Sequence, residues 1–311
     1  MRIAVLTFTN YEKLGANADA KISGEMLREA ALSRGHKFEM ISAMDCQLEF
    51  IKTPRLLYKN KPLRGFDAII VRPSFRGTEL DLHVSTIHQF EFLGIPVLNN
   101  HISVMRSKNK IRTMQVLKRF GIPMPKTLVI RASKYIEEVM KVVGSYPVVI
   151  KAFGGNEGIG VAIVESRRGL RSIVDMLVES ENSSPLIIQE YVKESSGKDI
   201  RIFVVGDKVV AAMERNTIIR DEFRSNFSLG GTVREATLTA KEKALAIKAA
   251  KACDLDIAGV DLLRTKSGPK ILEVNSNPGL RGITQATGKD IAGAIIDYAV
   301  ACAKARRKPK V

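Results

Sequence analysis

The sequence predicts an α/β fold in three pieces, taking on α+β character where antiparallel hairpins enter. Three observations carry this prediction. Strand-like and helix-like segments alternate through the first hundred residues. A helix-stop signal, Gly121 followed by Pro123 and Pro125, coincides with a shift in composition. Beyond it, paired apolar runs flank short turns, as hairpins do.

The elements follow in order. "MRIAVLTFTN" reads as a first buried strand over 2–8, its apolar run too short for a secretory signal. A helix at 18–34, a strand at 37–42, "DAIIVR" at 67–72, a helix at 79–93 and a strand at 95–98 complete the first α/β unit. A single helix is expected near 103–120, with a domain boundary close to 95–105. Next come a strand at 127–130, a helix at 133–143, strands at 146–153 and 161–166, a helix at 168–180 and the strand "LIIQEYV" at 186–192. Strands at 199–206 and 208–215 turn at Gly206-Asp207. A polar loop at 216–235, a helix at 239–253, a strand pair within 257–275 and a final helix at 289–305 end the chain. The expected domains are 1–100, 101–185 and 186–303, with a basic tail at 304–311.

Composition narrows the class. No apolar run approaches a membrane span. Cys46, Cys253 and Cys302 are isolated, so neither a disulfide framework nor a zinc site is indicated, and a cytoplasmic protein is expected. His36, His83, His88 and His101 also lack metal-ligand spacing, and a surface or satisfied core role is expected for each. Lys and Arg outnumber Asp and Glu by 49 to 33, a net charge of +16, which points to a polyanionic partner. With no Trp, the stacking residues of single-strand nucleic-acid binders are scarce.

Two sites emerge from spacing. In "AGVDLLRTKSGPKILEV" (258–274), a turn centred near Ser267 sets Asp261 opposite Glu273. Opposed carboxylates about 5 Å apart repel by roughly 3 kcal/mol at an effective dielectric near 20. A compensating cation is therefore expected. Asn275 shares the face of Glu273 and adds a neutral oxygen. An oxygen-only donor set of this kind suits Mg²⁺ or Mn²⁺ shared with a phosphate. The phosphate side is expected in "YPVVIKAFGGNEGIGVAIVES" (146–166), where Gly154, Gly155 and Gly158 free backbone N–H groups for phosphate oxygens and Lys151 precedes them on a strand. No Gly-Lys-Ser/Thr closes this loop, so it is not a Walker A loop. The backbone of Glu190, Tyr191 and Val192 could meet an adenine edge. Asp199 and Arg201 share a strand face, within reach of a ribose and a phosphate. Arg224, Ser225 and Asn226 lie in a loop, and Lys110 opens a helix.

The order of these pieces resembles the ATP-grasp superfamily: Lys110, then Lys151 before a glycine-rich flap, then Glu190-Tyr191-Val192, then Asp261, Glu273 and Asn275. Within it, "QEYV", "KDIR", "FRSNFSLGG", "LDIAGVDLLR", "EVNSNPGL" and "GKDIAG" are similar to the RimK group of glutamate ligases. The likeness is dense over about 100–300 and looser before, where "LREAALSRGH", "FDAIIVR" and "QFEFLG" carry it. It implies an ATP-grasp fold behind an N-terminal pre-ATP-grasp domain, and ATP-dependent addition of L-glutamate to a carboxylate through an acyl phosphate. In its type member the acceptor is the acidic C-terminus of the sixth small-subunit ribosomal protein, and poly-α-glutamate is an expected product. It further implies ATP with two Mg²⁺ or Mn²⁺ ions on Asp261, Glu273 and Asn275. Lys110, Lys151 and the flap would hold phosphates, and Arg201, Arg224 and Asn226 would act on the transferring group. A homo-oligomer is expected, with no membrane partner and only indirect contact with nucleic acid. The polar connection "TNYEKLGANADA" (9–20) departs from the type member. Arg72 and Arg76 are candidate carboxylate binders. Alternatives are a related ligase acting on a small-molecule or carrier-protein acceptor, a dipeptide- or glutathione-type ligase, or a non-catalytic ATP-binding regulator associated with the ribosome or RNA.

Overall fold

Strand β1 (Arg2–Thr7) is buried on both faces, which is why it reads as an unbroken apolar run. The computed structural model describes residues 1–9, 13–15, 18–52, 54–74, 80–152, 160–178, 185–217 and 232–307. Helix α1 (Asp19–Ser33) leads to β2 (Lys37–Ser42), parallel to β1. An antiparallel ribbon follows, β3 (Cys46–Phe50), β4 (Pro54–Tyr58) and β5 (Lys61–Pro62), where the sequence predicted no element. β6 (Ala68–Arg72) pairs with the other edge of β1, α2 (Leu80–Phe92) crosses over, and β7 (Val97–Leu98) completes a parallel sheet of order β2-β1-β6-β7. Ala4 and Leu6 pack with Ile87 and Phe90 of α2, while Ile3 and Val5 face α1 on the other side.

The segment expected as one helix forms two, α3 (His101–Ser107) and α4 (Lys110–Arg119). Asn109 makes the break: its side-chain oxygen accepts the Arg112 N–H at 3.0 Å and caps a new helix. Gly121 at φ +63° ends α4, where the stop signal was read.

The middle piece comprises β8 (Thr127–Ile130), α5 (Ile136–Val143), β9 (Val148–Ala152), β10 (Val161–Val164), α6 (Arg167–Val178) and β11 (Leu186–Glu190). Its antiparallel sheet, β10-β9-β11-β8, has a core of its own around Val139, Ile150, Leu170 and Ile188.

The last piece comprises β12 (Lys198–Val205), β13 (Lys208–Asn216), β14 (Thr232–Glu235), α7 (Ala240–Ala252), β15 (Ile257–Leu263), β16 (Lys270–Asn275), α8 (Arg281–Thr287) and α9 (Ile291–Arg307). Its sheet runs β14-β13-β12-β15-β16. A Thr239–Glu242 capping box starts α7, whose Ala246, Ala249 and Ala250 allow close approach to Ile202 and Val260. On the opposite face, Ile291, Ile295 and Ile296 of α9 pack on Phe203 and Met213, and in the same cluster on Ile3 and Val5. Each fully buried aliphatic side chain contributes about 1.5–3 kcal/mol, so α9 welds the first and last sheets together. Asn99, fully buried after β7, adds polar stitches. Its Nδ2 donates to Ile257 O at 2.8 Å and Ser276 O at 3.1 Å, and its Oδ1 accepts the Ile257 N–H at 2.8 Å. No helix among the described residues is long and apolar enough to cross a membrane.

Candidate active site

Asp261 on β15 is the register partner of Glu273 on β16, and Gly259 that of Asn275. A β-bulge interrupts the pair, because Leu262 partners Ile271 and leaves Leu272 as the additional residue. Leu272 and Glu273, adjacent in sequence, consequently both line the same cleft. Asp261 is 4% exposed, whereas Glu273 opens to solvent.

The charge of Asp261 is already balanced by two guanidiniums. Arg201, its partner across β12, binds it through Nε and, at 2.8 Å, through Nη2. Arg215 on β13 reaches Asp261 Oδ2 at 2.8 Å, and holds Asp199 through Nε at 2.6 Å and Nη2 at 2.5 Å. Burial pushes the Asp261 carboxyl up, but Arg201 and Arg215 outweigh it and hold the group at about 2. Burial works against the Arg215 guanidinium as well, yet Asp261 and Asp199 leave its pKa raised. Repulsion between Asp261 and Glu273 therefore does not by itself require a metal, since arginine supplies the cation in this state. Asp199, expected to face a ribose, is buried beneath Arg215.

Beside Glu273 lies a small cleft lined by Ser107, Lys110, Lys151, Gln189, Leu272 and Glu273 among others. Lys110 is the first residue of α4. Lys151 Nζ donates to Gln189 Oε1 at 2.9 Å, and Gln189 Nε2 donates to Thr127 Oγ1 at 2.8 Å, so a polar chain aims the lysine. Burial lowers the pKa of Lys151; Glu273 and Asp261 act against that shift and Lys110 adds to it. An ammonium held this way gains from any anion entering the cleft.

The other expected residues are placed as follows. Glu190 closes β11, its N–H donating to Lys126 O at 2.9 Å and its carboxylate paired with Lys270. Tyr191 Oη donates to Ser196 Oγ at 2.5 Å, and Val192 O accepts the Ser195 N–H at 3.1 Å. Asn275 Oδ1 accepts the Asn277 N–H at 2.8 Å, while Asn277 Oδ1 is buried with no partner among the described residues. Arg72 is buried at the end of β6. Gly154, Gly155, Gly158, Arg224, Ser225, Asn226 and Arg76 lie outside the described residues. Asp261, Glu273, Asn275 and the orphaned Asn277 oxygen, close by in sequence, have the oxygen chemistry of a hard divalent cation, but Arg201 and Arg215 occupy both Asp261 oxygens, so an ion there would have to displace guanidinium contacts.

Sequence reasoning missed Arg215, Gln189 and Gly259. Counting back from Gly206-Asp207, as was done from Ser267, brings Asp199 to Arg215 or its neighbour, and the register is Asp199 with Arg215. Gln189 was legible as one polar residue in an apolar strand. A Cβ on Gly259 would sit 2.7 Å from Pro278 Cβ and 3.1 Å from Arg201 Cδ, so only glycine lets the loop after β16 close over Arg201.

Comparison with known proteins adds to this geometry. Residues 1–104 match the RimK PreATP-grasp domain and 107–299 the RimK-like ATP-grasp domain. The chain is 41% identical over 277 residues to a probable alpha-L-glutamate ligase of Pseudoalteromonas translucida, covering 89% of this chain and 90% of that protein. It is 39% identical over 311 residues to probable alpha-L-glutamate ligase 2 of a Shewanella species, covering 99% of each. Among solved structures, it resembles the ATP-grasp ligase PsnB complexed with a minimal precursor, with a TM-score of 0.73 at 18% identity over 96% of this chain and 98% of that one.

Proposed function

We propose, from the premise that the chain belongs to the RimK-like ATP-grasp family, that it adds L-glutamate to the C-terminal carboxylate of an acidic peptide or protein. An ATP-grasp ligase of this family is an ATP-dependent carboxylate–amine ligase with a mixed α/β fold, a pre-ATP-grasp domain preceding the ATP-grasp domain. The acceptor carboxylate attacks the γ-phosphate of ATP, giving an acyl phosphate and ADP. The glutamate amine then attacks that acyl carbon, forming the amide and releasing phosphate.

One observation carries the reading. Lys110, Lys151 and Glu273 line a single cleft, with Asp261 opposite Glu273 on the neighbouring strand. The two lysines would grip phosphate oxygens, and Arg201 would steady the transferring group. Two Mg²⁺ or Mn²⁺ ions held by Asp261, Glu273 and Asn275 would supply charge neutralisation for the phosphates. Arg224 and Asn226 are assigned to the transferring group by the family resemblance alone. The names of the relatives favour glutamate as the amine. The net charge of +16 favours an acidic acceptor, and the tail of the sixth small-subunit ribosomal protein, extended as poly-α-glutamate, is the acceptor proposed.

The test measures glutamate incorporation and ADP release with peptides ending in Glu-Glu, their C-terminal amides, and small carboxylate coenzymes, across a salt series. Free-acid peptides should be used, amides should not, and affinity for the peptide should fall with salt more steeply than affinity for ATP. Glu273→Gln should keep the fold and lose turnover. Equal use of the amides, or preference for a small coenzyme, moves the acceptor elsewhere. ATP binding with no ADP release for any acceptor would overturn the ligase reading itself.

A further inference from the structure

His88, Glu91 and His101 meet at the junction of α2 and α3, and none of them lines the cleft. His88 and Glu91 are three residues apart on α2 and share a helix face. His101 is the first residue of α3. Each offers a ligand atom, and the three atoms lie within 4.8 Å of one another. The imidazoles of His88 and His101 stack with centroids 3.8 Å apart and planes 18° from parallel. Glu91 orients His101 twice: Oε1 accepts the His101 backbone N–H at 2.7 Å, and Oε2 lies 2.6 Å from Nδ1. The His101 and Glu91 side chains are about one-fifth exposed, at 20% and 23%, so an ion can enter from solvent and keep a water ligand.

We propose that this cluster binds a borderline transition-metal ion, of which Zn²⁺ is the natural occupant, through two imidazoles and one carboxylate. The ligand set separates it from the cleft, whose donors are all oxygens and suit Mg²⁺ or Mn²⁺. In a tetrahedral zinc site, bonds of about 2.0–2.1 Å put neighbouring ligand atoms about 3.3 Å apart. The ligand atoms, all within 4.8 Å, need only small side-chain rotations, in which Glu91 Oε2 and His101 Nδ1 part from 2.6 Å and give up the proton they share, with α2 and α3 already in contact. Isolated histidine spacing in the sequence concealed the cluster, because the chain leaves α2, runs through β7 and returns before His101. The site's role is structural and positional. It pins the start of α3, whose last residue, Ser107, lines the ATP cleft, as does Lys110 at the start of the next helix.

The experiment uses the full chain freed of metals by a chelator and held in excess Mg²⁺ so that the oxygen site is filled. Zn²⁺ alone is then titrated by calorimetry with thiols blocked, and Co²⁺ replaces it for spectroscopy. Wild type should bind one Zn²⁺, give visible d–d bands with Co²⁺, and unfold at a higher temperature when loaded. His88→Gln and His101→Gln should each weaken Zn²⁺ binding at least tenfold and abolish the Co²⁺ bands, with circular dichroism unchanged. Glu91→Gln should weaken it less. A double His88→Gln/His101→Gln variant that still takes one Zn²⁺ with wild-type affinity, or a wild type that takes none, would overturn the proposal.

Discussion

Arg215→Met removes one cation from between two buried carboxylates, and the structure fixes the outcome. Asp261 keeps Arg201, but among the described residues Asp199 loses the guanidinium that binds both of its oxygens. Stranding a buried charge costs about 3–5 kcal/mol. At about 2–4 °C per kcal/mol for a unit of this size, the melting temperature should fall on the order of 10 °C. The pH dependence makes the test sharper. In wild type, Asp261 is held at about 2 against about 3.9 unfolded, so its folded value is depressed. It therefore contributes roughly 2–3 kcal/mol that is present above about pH 4 and lost as pH falls through about 2. In the variant Asp261 keeps only Arg201, so less of that contribution remains, and the deficit against wild type narrows as pH falls from about 4 through about 2. With no Trp in the chain, unfolding is followed by far-ultraviolet circular dichroism and calorimetry. A variant as stable as wild type at neutral pH, or a deficit that stays constant with pH, would refute the claim that Arg215 neutralises Asp199 and Asp261.

Two further changes probe the same region from different sides. Gly259→Ala should destabilise by about 1–3 kcal/mol and impair turnover, since its Cβ collides with Pro278 and crowds Arg201; a fully active variant with an unchanged melting temperature would show that the loop yields freely. Lys151→Met removes a desolvated ammonium, so without nucleotide the melting temperature should hold or rise, while the stabilisation conferred by ATP with Mg²⁺ should largely vanish. Retention of that ATP-induced shift would take Lys151 out of the phosphate grip.

How much was legible depended on whether the physics was local. The hairpin turn at Thr265–Gly268 is short enough that counting residues gave the Asp261–Glu273 pairing, although the bulge that turns Leu272 into the cleft left no mark on the sequence. The long strand and helix periods of β1, α7 and β12 were readable for the same reason. The break at Asn109 was signalled by a capping residue that could equally have been an ordinary polar position within a helix. The ribbon β3–β5 escaped because its strands are half exposed and their alternation is weak. The cation balancing Asp261 was attributed to a metal because Arg215 arrives from another strand. Only the sheet order β13-β12-β15 reveals that neighbour.

The weld between the first and last sheets divides the labour of the cleft. Helix α9 and the three hydrogen bonds of Asn99 make those sheets one chassis, so Glu273 and Asp261 ride on a fixed frame. Lys151 does not ride with them. It belongs to the middle sheet, whose core is separate and which meets the frame at contacts such as the Lys270–Glu190 pair. Lys151 and Glu273 thus face one cleft from sheets with separate cores, while Lys110 rides with the frame on α4, whose Leu117 packs beneath β16. The coupling between Lys151 and Glu273 consequently depends on the spacing of two sheets and not on a single scaffold.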